Sequence, residues 1–135
     1  MEIDVMVKKK RPDEVITEAE PVAIEESTAT DNLRMSLEEI KGYDGVIGYI
    51  LRNSTSASID LKDPTKIIDY AILSSSALDS GEELSELFDL GNITHTIVEG
   101  QNAKMLSLVL SQNKISVFME KDADHERILQ RLRRI

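Results

Sequence analysis

The residues of this chain that could do chemistry are few and scattered. It holds two histidines, His95 and His125, and no cysteine. A catalytic base needs a second titratable group arranged around it. His95 stands between Thr94 and Thr96, and His125 lies far along the chain at the start of its last helical pattern, so both read as structural or surface residues. Asp60, Asp63 and Asp69 cluster in sequence. They lack the pattern of acids around a central glycine that builds a calcium loop, and Asp63 before Pro64 reads better as a helix cap. No metal site is expected. Gly42-Tyr43-Asp44-Gly45 lacks the Lys-Ser/Thr of a phosphate loop, so no nucleotide or other cofactor is expected on the chain itself. Ser74, Ser75 and Ser76 have no base nearby in sequence and no nucleophile-elbow glycines. Their small side chains instead allow close packing of a helix. Lys8 to Arg11, and Arg127, Arg131, Arg133 and Arg134, could meet a phosphate or an acidic partner, but solvated charge is the plainer reading. With no nucleophile, base and orienting group to assemble, the chain reads as a non-enzyme without catalytic residues.

Binding is the remaining class, and the helix that opens near Pro64 points to it. Taken at 100° per residue from Ile67, its apolar residues Ile67, Ile68, Tyr70, Ala71, Ile72, Leu73, Ala77 and Leu78 spread round most of the circumference. Asp69 and Ser76 mark the polar side. A surface helix usually carries one apolar stripe, so a helix apolar nearly all round is buried on more than one side. In so short a chain its own sheet covers one side, and a second subunit or partner must cover the other.

The 135 residues suit one domain, and a formal charge of −9 repels nucleic acid and anionic lipid. The missing cysteines fit a reducing compartment, and the N-terminus carries no apolar run that would cross a membrane or direct secretion. A cytoplasmic protein is expected. Residues 1–30 are acidic after a basic block, contain Pro12 and Pro21, and show no sustained helical period. They read as a mobile tail, apart from Ile3, Val5 and Val7, whose alternation would suit a short edge strand. Residues 31–135 read as the domain.

Within it, Leu33, Leu37 and Ile40 mark a short helix over residues 31–41, capped by Asp31 and stopped by Gly42. Val46 to Leu51 is apolar on both faces, as a central strand is, with Gly48 suggesting a bulge or the close approach of a helix. Ala57 to Leu61 alternates. The long helix runs from Pro64 towards Phe88, with a break expected at Ser80-Gly81. Strands follow over Ile93–Glu99, Lys104–Leu110 and Ile115–Met119, and a helix near Asp124 to Arg134 closes the chain. The order α-β-β-α-β-β-β-α predicts an α+β fold, a five-stranded antiparallel sheet with helices on both faces.

That order, and the residues filling it, resemble the roadblock family, named for a dynein light chain. The resemblance covers about residues 33–134. It rests on Asp44-Gly45-Val46-Ile47-Gly48, Ile97-Val98-Glu99-Gly100-Gln101-Asn102, the run from Lys104 to Leu110 and the closing helix. Two features depart from the family pattern: Asn53-Ser54-Thr55-Ser56 lacks the usual turn glycine, and three serines stand in mid-helix. The resemblance implies a profilin-like, non-enzymatic dimer joined through the long helix and the neighbouring edge strand. It implies a regulator or scaffold of a small Ras-like GTPase or, alternatively, a light-chain adaptor that clamps a peptide or helix of a larger assembly. The interface expected is Tyr70, Leu73, Ser74 and Ala77 on the helix and Ile93, His95 and Ile97 on the strand, in a homodimer.

Overall fold

A computed structural model describes residues 5–6 and 21–135, with side-chain surroundings from Thr30 onward. The elements in chain order are β1 (Val5–Met6), α1 (Pro21–Lys41), β2 (Val46–Arg52), β3 (Ala57–Leu61), a 3-10 turn (Pro64–Lys66), α2 (Ile67–Phe88), β4 (Thr96–Glu99), β5 (Ala103–Leu110), β6 (Asn113–Glu120) and α3 (His125–Arg133). Five strands form an antiparallel sheet in the order β3-β2-β6-β5-β4. β1 adds a sixth, pairing in parallel with β3 through Val5–Ala57 and Met6–Ser58.

Alternation along the strands divides the apolar side chains between two faces. On one face Tyr49, Leu51, Leu106, Leu108, Ile115 and Val117 meet Leu33, Leu37 and Ile40 of α1 and Ile128, Leu129 and Leu132 of α3. On the other, Ile50, Ile59, Met105 and Phe118 meet Ala77 of α2, with Tyr70, Ala71 and Leu73 beside it. The central strands β2 and β6 are therefore covered on both sides, and each large aliphatic side chain buried there is worth about 1.5–3 kcal/mol.

Several local features differ from the sequence expectation. α1 begins at Pro21, so Asp31 lies inside the helix instead of capping it and makes an i,i+3 ion pair with Arg34 at 3.9 Å. Pro21 suits the first helical position, and Ala23, Glu25, Glu26 and Ala29 are favourable helix formers that outweigh the missing apolar period. The residue-30 boundary thus falls within a helix; Ile3, Val7 and the basic block from Lys8 lie outside the described residues. α2 runs unbroken past Ser80-Gly81. Gly81 instead lets the helix approach Thr96, whose Oγ1 would stand 3.1 Å from an added Cβ. β4 is shorter than expected because Ile93 leaves the ladder and lies near Gly81 beneath α2.

The turn without glycine is closed by its own side chain. Asn53 Oδ1 accepts from Thr55 N at 3.0 Å and Ser56 N at 3.1 Å, an Asx arrangement that replaces the conformational freedom of glycine. Gly48 marks a bulge, since the β2–β6 register shifts between Val46 and Gly48. The close neighbour there is strand β3 rather than a helix: an added Cβ would stand 2.2 Å from the Asp60 carbonyl oxygen.

Charges lock α1 against the sheet and α3. Lys41 Nζ donates to Asp60 at 2.6 Å, and Tyr49 OH donates to Glu38 at 2.6 Å. Burial, together with the Glu38 carboxylate, pushes the Tyr49 phenol well above its usual range. Arg131 of α3 donates to both Glu39 oxygens at 3.1 and 3.2 Å and to Ser36 Oγ at 3.2 Å. The Arg131 guanidinium holds the Glu39 carboxyl below the usual glutamate range.

Two outcomes follow from these contacts. Gly48→Ala should cost about 3 kcal/mol of unfolding free energy in urea titrations, because backbone atoms and not a mobile side chain must move. Because the folded Glu39 value is depressed, its contribution is present in full above the unfolded value and is lost as pH falls through the folded one. Melting curves of Glu39→Gln should therefore lie below those of the parent near neutrality and converge with them in acid.

Candidate functional site

The long helix is the element on which a partner surface depends, and its rotation is fixed from the sheet side. The Tyr70 ring stacks on Phe118 with centroids 4.5 Å apart and planes at 20°. One turn on, the Ser74 hydroxyl lies 2.6 Å from that of Ser116, which lies 2.6 Å from that of Ser107. These three buried hydroxyls connect α2 to β6 and β5 on the face they share. A buried hydroxyl is costly unless bonded, so the chain of three favours one rotation of the helix over others. Asp63 sets the entry, its Oδ1 accepting from Thr65 N at 3.1 Å and from Thr65 Oγ1 at 2.6 Å. At the exit Asp89 adopts the left-handed conformation, with its N–H bonded to the Ser85 carbonyl, and the Ser85 hydroxyl donates to the Gly91 carbonyl.

With that rotation, the helix residues expected at the interface turn inward. Ser74 is 2% exposed and Ala77 8%, while Tyr70 and Leu73 are half-buried against the same sheet face. Their small or flat shapes serve the helix–sheet contact. Two exposed apolar groups remain on α2: Ile68, 72% exposed, with Ile72 near its start, and, further round the helix, Leu84, Leu87 and Phe88 near its end, the last two about two-thirds exposed, with Leu90 just beyond. Ile68 and Ile72 were within the apolar arc of the sequence. Leu84, Leu87 and Phe88 carried a signal of their own in their i, i+3, i+4 spacing. Which stripe faces the sheet is decided by the partner strands, and the helix sequence alone does not carry that information.

The strand residues sit apart from one another. Ile97 packs at the margin of the α1/α3 core, and Ile93 is about one-third exposed. His95, half-buried, lies outside β4, with Nδ1 3.1 Å from Thr94 Oγ1 and 3.4 Å from an Arg133 nitrogen. β4 pairs with β5 on one side only, so its other edge presents unpaired backbone groups among the described residues.

The remaining chemical candidates are engaged elsewhere. His125 Nδ1 lies 3.0 Å from the buried Lys104 ammonium, and Arg127 stacks 4.0 Å over the Tyr43 ring. Arg131 holds Glu39 and Ser36. Among the described residues, no group of three or more His, Asp or Glu side chains could hold a metal ion, and no helix is long and apolar enough to cross a membrane.

No family model matches the sequence, and no curated protein matches it significantly. Solved structures do match the fold. The crystal structure of the Roadblock/LC7 domain from Streptomyces avermitilis superposes with a TM-score of 0.62 at 16% identity, covering 73% of this chain and 87% of that one. The crystal structure of MglC from Myxococcus xanthus gives 0.53 at 15% identity, covering 75% and 90%. The chain has the roadblock fold.

The hydroxyl chain yields a stability test. Ser116→Ala leaves two buried hydroxyls without their shared partner and should cost about 1–3 kcal/mol in urea unfolding. Replacing Ser74, Ser107 and Ser116 together with alanine should recover most of that loss, since no unpaired hydroxyl then remains.

Proposed function

We propose that this protein is a non-enzymatic, dimeric regulator or scaffold of a small Ras-like GTPase, working in the cytoplasm and built as a homodimer. The observation that carries the dimer is the exposed apolar stripe of α2 beside the unpaired β4 edge. A helix this apolar on its outer side exposes surface that monomers rarely leave bare, and a two-fold pair is the commonest closed solution.

At 100° per residue Ile72, Ser76 and Leu87 fall within about 60° of one another, and an antiparallel pair of helices crossing at Ser76, whose small exposed side chain admits close approach, would bury all three. Ile93 and Ile97 remain proposed contacts beside the β4 edge, with His95 at its margin. On α2, Tyr70, Leu73, Ser74 and Ala77 act indirectly, by holding the helix so that Ile72 and Leu87 face the partner. On their acidic, proline-containing composition we read residues 1–30 as an appendage to the domain of residues 31–135.

The GTPase partner rests on the roadblock resemblance of the sequence pattern together with the roadblock fold, and a fold hosts many functions. A second reading, an adaptor clamping a peptide or helix of a larger assembly, uses the same dimer.

Light scattering should give twice the chain mass at micromolar concentration, and Ile72→Asp with Leu87→Asp should shift it to the monomer, because a carboxylate buried without a partner is costly. A parent chain that is monomeric at that concentration would contradict the dimer. Titration against candidate GTPases loaded with GDP or a non-hydrolysable GTP analogue separates the two functions. Binding that depends on nucleotide state supports the regulator, whereas no binding moves the assignment to the adaptor.

A further inference from the structure

The side of α2 away from Leu84 and Phe88 borders a groove of about 540 Å³ between the C-terminal half of the helix, the segment leading into β4, and the ends of β5 and β6. The floor is apolar: Leu78, Ile93 and Val109 line it, and Val109 is 46% exposed on the sheet face that α2 covers elsewhere. The rim is acidic. Asp79, Glu82 and Glu86 lie on one stripe of the helix, roughly 150° round from Leu84, Leu87 and Phe88 at 100° per residue. None of the three is ion-paired among the described residues.

The surrounding sequence sharpens this field. From Ile67 to Ala103 the chain has no lysine or arginine, and Lys114 stands at one end of the groove. The C-terminus of α2 adds the negative end of its dipole beside Glu86. Unpaired carboxylates over low-dielectric walls concentrate a potential that attracts cations. The described residues offer no metal cluster here, so the fitting cation is a side chain.

We propose that this groove docks a basic segment of a partner protein, seating an apolar side chain on Ile93 and Val109 with lysine or arginine residues against Asp79, Glu82 and Glu86. Ile93 also stands among the contacts proposed for the dimer, so the segment and a second copy meet at that edge of the groove. It needs no GTPase and applies to either reading of the function.

The test uses the full chain and a fluorescein-labelled peptide, Gly-Arg-Lys-Leu-Arg-Lys-Gly, followed by anisotropy at low salt. Saturable binding is expected, with none for the counterpart carrying Glu in place of each Arg and Lys. Glu82→Lys with Glu86→Lys should weaken binding about tenfold or more, since two attractions become repulsions. Asp69→Lys with Asp122→Lys changes the net charge equally, outside the groove, and should weaken it by less than about twofold. Replacing the peptide's leucine with glycine should cost about fivefold or more through lost apolar burial. Absence of saturable binding, equal loss from both charge-reversed pairs, or indifference to the leucine would each overturn the proposal. A chain that is monomeric by light scattering yet binds the peptide this way would overturn the dimer and leave the groove standing.

Discussion

The arrangement of α2 on the sheet is the constraint from which the rest follows. The helix is apolar on two sides, and only one can meet Ile50, Met105 and Phe118. Apolar burial alone would tolerate several rotations, because it has no direction. The Tyr70–Phe118 stack and the Ser74–Ser116–Ser107 hydroxyls do have direction, and they select one. Once selected, the rotation leaves Ile68, Ile72, Leu84 and Leu87 facing outward and the carboxylates of Asp79, Glu82 and Glu86 above the groove. The exposed surface of the protein is thus a consequence of its buried polar contacts.

The two faces of the sheet are treated differently. On the α1/α3 face, ion pairs and hydrogen bonds close the contact: Arg131 with Glu39, Lys41 with Asp60, Tyr49 with Glu38. Such partly exposed pairs contribute little energy each, but they fix how the helices sit. On the α2 face the helix covers part of the sheet and leaves Val109 open. The edges differ too. β3 is met by β1, whereas β4 is paired on one side only, next to the apolar stripe. Most of the exposed large apolar side chains lie on and around α2, with Met35 and Ile135 elsewhere.

Strand order and helix placement were legible because strand patterning depends on few residues. Val46 to Leu51 is apolar on both faces and is central, and Asn53 closes its turn where glycine was missing. Gly48 announced a bulge, though its crowded neighbour is a strand. Legibility failed where a distant contact decides. Asp31 resembles a cap, but the helix begins at Pro21. Gly81 resembles a break, but it allows close packing on Thr96. The inward turn of Ser74 depends on Ser116, far along the chain, which the helix sequence by itself does not carry.

The central claim is that the outer stripe of α2 meets its own copy antiparallel about a two-fold near Ser76. The chain has no cysteine, so one introduced at Ser76 reports on that contact alone. Under mild oxidation Ser76→Cys should convert to a covalent dimer, while a cysteine placed at Lys121, exposed beyond the β6 end, should not. A Ser76→Cys chain that stays monomeric under oxidation, or crosslinks no faster than the Lys121 variant, would contradict the account.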